Sequence, residues 1–138
     1  MTKYDIAEMM ISSLTSDDFR EHVQKHFVSE EEAAQIRSLS GRSFSIFSGK
    51  FDWELVINAL TNWAEDADSL YKKILAQTED VKEYKFSFNT KSVCGKIFPA
   101  AGREMETTRF TLFFVVFRNV RCGKVDFELR LKTVYPTR

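Results

Sequence analysis

The sequence predicts an α+β fold, with N-terminal helices packed on a C-terminal antiparallel sheet, and three observations predict it. Apolar residues recur at helical spacing as far as Leu75. From Val81 the period falls to two, as it does where alternate side chains point to opposite faces of a strand. No internal repeat or low-complexity tract interrupts the 138 residues, so helices come first, strands last, around one core in a single domain spanning 1–138.

The first helix, within residues 1–15, puts Ile6, Met9, Met10 and Leu14 on one face, with Asp5 and Glu8 opposite. Thr15 or Ser16 caps a second, short helix, where Asp17 and Asp18 suit the positive end of the dipole and Phe19, Val23 and Phe27 recur. Ser29 and Glu32 form a capping box for a third helix through Arg37, which Ser38, Ser40 and Gly41 break. Residues 41–51 read as a loop or short strand anchored by Phe44, Ile46 and Phe47. Asp52 caps the strongest helix, with Trp53, Val56, Ile57, Leu60 and Trp63 in one stripe. The pattern resumes at Ala67, Leu70, Tyr71, Ile74 and Leu75, as a second helix or a bend of the first.

Tyr84, Phe86 and Phe88 then alternate with polar residues, and Val93, Gly95 and Ile97 continue the alternation after a turn near Asn89 and Thr90. Residues 98–107, with Pro99 and Gly102, read as a polar loop. Residues 108–118 are apolar on both faces, which predicts the central strand. The last strand, 124–136, places Val125, Phe127, Leu129, Leu131, Thr133 and Tyr135 on one face and Lys124, Asp126, Glu128, Arg130 and Lys132 on the other, and Pro136 ends it. Its apolar face thus finishes in a hydroxyl and a phenol. That is how a core strand looks where it opens into a cleft, and also how a frayed sheet edge looks, since Thr and Tyr are common there.

Twenty basic residues balance 20 acidic ones, so no global charge signature of a nucleic-acid or membrane-surface binder is present. The halves differ: residues 1–84 carry 9 basic against 16 acidic side chains, residues 85–138 carry 11 against 4. A positive sheet half can attract an anion, or its cations can simply be solvated. No apolar run is long enough to span a membrane and the N-terminus lacks a signal-peptide pattern, so the chain is expected to be soluble, with any export signal on a larger parent or a dedicated secretion machine. Cys94 and Cys122 are too few for a disulfide framework and lack metal-ligand spacing, although one disulfide remains open.

Phosphate loops, nucleophile elbows and paired-cysteine zinc sites are missing. His22 and His26, one helical turn apart, lack an obvious third ligand, so no metal or cofactor is expected. His26 is a candidate acid or base because imidazole titrates near neutrality, or else an ordinary helical histidine. A ribonuclease that attacks phosphate with the ribose 2′-OH needs a base, an acid and donors for the phosphoryl oxygens. His26, Arg37, Thr133 and Tyr135 can supply them, Arg37 as a permanently charged, bidentate phosphate partner. His26 is expected at the edge of a cleft. Arg130 and Lys132 are the candidate substrate contacts.

The order His26-x10-Arg37, Ser43-Phe44, a helix bearing Trp53, Asn58, Asn62 and Trp63, Gly95 within a strand and a closing Thr133-x-Tyr135-Pro136 resembles the bacterial ribonuclease A-like toxin domain, over about residues 20–138. That domain ends contact-dependent growth inhibition proteins and other polymorphic toxins. The resemblance implies a ribonuclease A-like fold and a metal-independent endoribonuclease without a cofactor. Its substrate would be RNA, with tRNA among the candidates, cut in the cytoplasm of a neighbouring bacterial cell after secretion or cell-surface delivery. Its partner would be a cognate immunity protein, and the catalytic residues would fall on His26, Arg37, Thr133 and Tyr135. Val134 stands where the family often has Ala and is expected to point away from the site. The chain is expected to be a free-standing effector or a piece of a longer toxin. The alternative is a non-catalytic binding protein, such as the immunity protein of a toxin pair, which would also be small, α+β and acidic in its helical half.

Overall fold

The computed structural model describes every residue except Lys50. Three helices open the chain: α1 (Lys3–Leu14), α2 (Asp17–Gln24) and α3 (Glu30–Ser40). Thr2 and Asp5 cap α1 reciprocally, Ser16 accepts from the Phe19 amide to cap α2, and Ser29 accepts from the Glu32 amide to cap α3. Gly41, at φ 68°, closes α3 in the left-handed conformation that glycine adopts without strain. After β1 (Phe44–Phe47) the stripe that begins at Trp53 and the pattern that resumes at Ala67 are separate helices, α4 (Trp53–Asp66) and α5 (Asp68–Leu75), divided at Ala67. None of these helices is long and apolar enough to cross a membrane.

The strands form two antiparallel three-stranded sheets where the sequence predicts one. β2 (Val81–Asn89), β5 (Arg109–Arg121) and β6 (Lys124–Thr137) make the larger, with the doubly apolar β5 in its centre as its pattern requires. On one face of β5, Phe110, Leu112, Phe114 and Val116 join Ile6, Met10, Leu14, Leu60 and Ile74 in the core. On the other, the Lys85 ammonium lies 5.0 Å from the Phe113 ring centre and the Arg130 guanidinium 4.9 Å from Phe117, so long cationic stems cover rings that no helix covers.

β3 (Gly95–Phe98) does not continue the β2 hairpin. It pairs with β1 on one side and, on the other, with β4 (Met105–Thr107), a strand inside the stretch expected to be a loop. Alternation alone does not say which partner a short strand takes. α3 covers one face of this small sheet, where Ala33 packs with Ile46 and Phe98, and the Lys96–Glu30 ion pair ties β3 to the start of α3. Cys94 is buried and Cys122 is exposed at the β5–β6 turn, and both are free thiols.

A bulge in β6 overturns the predicted sharing of faces along that strand. Phe114 pairs with Leu131 but Phe113 pairs with Thr133, so Lys132 is an extra residue with no partner on β5. Before the bulge, Phe127 and Leu129 face the core; after it, Val134 and Pro136 do. Thr133 and Tyr135 therefore lie on the face opposite Leu131, with Phe113 and Thr111 as their cross-strand partners.

A candidate active-site cleft

The far end of β6 meets the small sheet at Gly95. A side chain there would overlap the Ile46 carbonyl oxygen and lie 2.7 Å from Cγ of Pro136, so only a glycine lets β6 come this close to β3. Thr107 strengthens the junction by donating its hydroxyl to the Thr137 carbonyl. Together, the bulge and this crossing bring Thr133 and Tyr135 to the segment that follows α2.

That segment carries His26. Its backbone carbonyl accepts from the Phe47 amide at 2.7 Å, which fixes it to β1. Its ring Nδ1 lies 2.7 Å from the Ser45 carbonyl oxygen. A carbonyl only accepts, so Nδ1 carries the proton, and the neutral ring keeps its lone pair on Nε2. Phe44 stacks on the imidazole at 5.4 Å and 14°, and the Tyr135 ring lies 5.9 Å from it. His26 is buried, at 7% exposure. This burial pushes its pKa below the ordinary imidazole value; the Ser45 acceptor opposes the shift and the Lys25 cation adds to it.

His26, Thr133 and Tyr135 thus line one cleft of about 570 Å³, together with Ser43, Phe44 and Ser45 of the β1 region, Ile97 of β3, and Pro136 and Thr137. Lys25 and Arg138 bring positive charge to it, and no Asp or Glu side chain is in its lining among the described residues. The Thr133 hydroxyl oxygen is buried without a hydrogen-bond partner there. The Ser48 hydroxyl, outside the cleft, is buried in the same way, and a buried hydroxyl left so costs about 1–3 kcal/mol.

Arg37 does not line the cleft. Its guanidinium lies 5.6 Å from the Phe98 ring centre and 4.0 Å from the Glu104 carboxylate, over the small sheet. Arg130 and Lys132 do not line it either; they line a separate depression with His22. His22 is exposed, and among the described residues no three His, Cys, Asp or Glu side chains gather as metal ligands. The sequence reading gave no role to Lys25, Ser45 or Arg138. Lys25 was detectable as the neighbour of the candidate histidine, and Arg138 by its place just past Pro136. Ser45 acts through its carbonyl, which no side-chain pattern reports.

No protein family and no curated protein matches the sequence. Among solved structures, a chain of the CdiA-CT/CdiI complex from Y. kristensenii 33638 superposes with a TM-score of 0.56 at 15% identity, over 84% of this chain and 97% of that one. The two chains share a fold. At this identity the likeness extends to the α+β arrangement of helices and antiparallel strands and no further.

Proposed function

We propose that this chain is a bacterial toxin domain with metal-independent ribonuclease activity, made to act in the cytoplasm of a neighbouring cell and neutralised in its producer by a cognate immunity protein. One observation carries the reading: His26, Thr133 and Tyr135, from opposite ends of the chain, line a single cleft beside the cations Lys25 and Arg138. The fold shared with a chain of a CdiA-CT/CdiI complex supports the link to contact-dependent inhibition.

In this reading His26 is the base. With Nδ1–H held by Ser45 and burial keeping the ring neutral, Nε2 takes the proton from the ribose 2′-OH. The O2′–phosphorus bond forms and the phosphorus–O5′ bond breaks, and Tyr135 donates the proton that the leaving O5′ acquires. Thr133 donates to a non-bridging oxygen and Lys25 balances its charge. Arg37 joins them only by leaving Glu104. The products are a 2′,3′-cyclic phosphate and a 5′-OH.

The test is incubation with total bacterial RNA in excess EDTA. Cleavage supports the ribonuclease. Intact RNA from folded, inhibitor-free protein transfers the proposal to the second reading, a non-catalytic immunity protein, because the likeness is to a complex holding both kinds of chain.

A further inference from the structure

We propose that the free edge of β2 is a pairing surface for a second copy of this chain, which joins two of the larger sheets into one across a two-fold axis. β2 ends its sheet, and no strand of the described residues pairs with its outer edge. The ladder tells which backbone groups are left over. The Arg118 amide donates to the Asp80 carbonyl and the Thr90 amide to the Thr108 carbonyl, with no register shift between them, so the even-numbered residues of β2 bond to β5. Val81, Glu83, Lys85, Ser87 and Asn89 therefore turn their N–H and C=O outward, and all five are exposed. No proline or bulge blunts this edge, and its 9 residues are many for a strand left open.

Charge selects both the partner and the register. Tyr84, Phe86 and Phe88 face the core, so a second sheet must join with its own core face on the same side, which restricts two-fold antiparallel pairing to registers centred on a residue. Centred on Glu83 or on Lys85, the edge sets that residue against its own copy, and like charges repel. Centred on Phe86, it gives neither charge an opposite one. Centred on Tyr84, it sets Glu83 against Lys85 of the second copy, and the two-fold axis repeats that pair. Both pairs fall on residues whose backbone groups point outward, as does the pair of Val81 with Ser87, so backbone bonds and charges agree on one arrangement. Within the chain neither Glu83 nor Lys85 has an ion pair among the described residues, and Lys85 lies over Phe113. No residue of β2 lines the cleft, so the pairing is independent of the ribonuclease reading.

The test is sedimentation equilibrium of the whole chain from about 1 μM to about 1 mM, a range suited to the weak association that a contact along one strand provides. The native chain is expected to dimerise reversibly within it. Glu83→Lys and Lys85→Glu each turn two attractive pairs into two repulsive ones and are expected to weaken association by about tenfold while the chain stays folded by circular dichroism. Mixed in equal amounts, the two variants oppose unlike charges at both positions and are expected to associate as the native chain does, and so is the variant carrying both substitutions. Single variants that associate as tightly as the native chain, or a mixture no tighter than its components, overturn the pairing. A native chain that stays monomeric throughout overturns the second copy as occupant and leaves the edge to a strand of another protein.

Discussion

Gly95→Ala should damage both walls of the cleft at once. The added Cβ would lie 2.7 Å and 2.9 Å from the Pro136 ring, and ordinary contact begins near 3.4 Å, so the ring must retreat by roughly 0.7 Å. The same Cβ overlaps the Ile46 carbonyl oxygen. That oxygen belongs to the peptide whose N–H donates to the His26 carbonyl, so it cannot retreat without disturbing the segment that carries the imidazole. Alanine alone would stabilise a strand position by about 0.4–1 kcal/mol through the unfolded chain, against about 1–3 kcal/mol lost to overpacking. Overpacking wins. Because Tyr135 precedes Pro136, a shift of this size also moves the phenol relative to His26, and a misplacement of about 1 Å can cost about 100-fold in rate. Thermal unfolding should show lower stability, and RNA cleavage per folded molecule should fall more than tenfold. Gly49→Ala, whose Cβ meets nothing within 4 Å, is the control and should change neither. A Gly95→Ala protein with native stability and native cleavage would refute the argued contact between β3 and the end of β6.

Thr133→Val should lower cleavage yet raise stability by roughly 1 kcal/mol, because it removes a buried hydroxyl that has no partner; a loss of stability in denaturant titration would mean that the hydroxyl is satisfied. Phe114→Ala, fully buried and stacked on Tyr84 at 5.3 Å, should cost about 3–5 kcal/mol and unfold the chain at lower temperature, whereas a cost near 1 kcal/mol would contradict its place in the core. Burial lowers the His26 pKa, so the unfolded chain binds that proton more readily. Its contribution is fully present above about pH 6.5 and is lost as the pH falls below that value toward the folded pKa. The melting temperature should therefore drop between pH 7.5 and 5.5, less so in His26→Gln. The carboxylates held below their ordinary range, Asp5, Asp68 and Glu79, act at lower pH and do not mimic this.

Local physics made most elements legible in the sequence. Helix caps at Ser16, Ser29 and Asp52 and the αL stop at Gly41 are one-residue signals, and the doubly apolar β5 announces a central strand. Pairing was not legible, since β3 chooses β1 and β4 over β2 through contacts distant in the chain. The bulge at Lys132 was hidden for the same reason. Strict alternation put Thr133 on the face of Leu131, and only the register against Phe113 and Phe114 moves it to the other. In the site, the order of His26, Thr133 and Tyr135 was readable because side-chain chemistry survives in a sequence. The burial of His26 and its tautomer were not, because both depend on the Ser45 carbonyl and the Phe44 ring. Arg37 has the spacing from His26 that the resemblance uses, but its guanidinium lies by Phe98 and Glu104, outside the cleft lining.

The most direct test of the central claim is end-group analysis on a defined oligonucleotide with a single ribose in a deoxyribose backbone, in excess EDTA. The account predicts one cut, on the 3′ side of that ribose, leaving a 2′,3′-cyclic phosphate and a 5′-OH, with no cut in the all-deoxy oligonucleotide and none by His26→Ala protein that remains folded. Cleavage of the all-deoxy strand, or native-rate cleavage by the His26 variant, would contradict it.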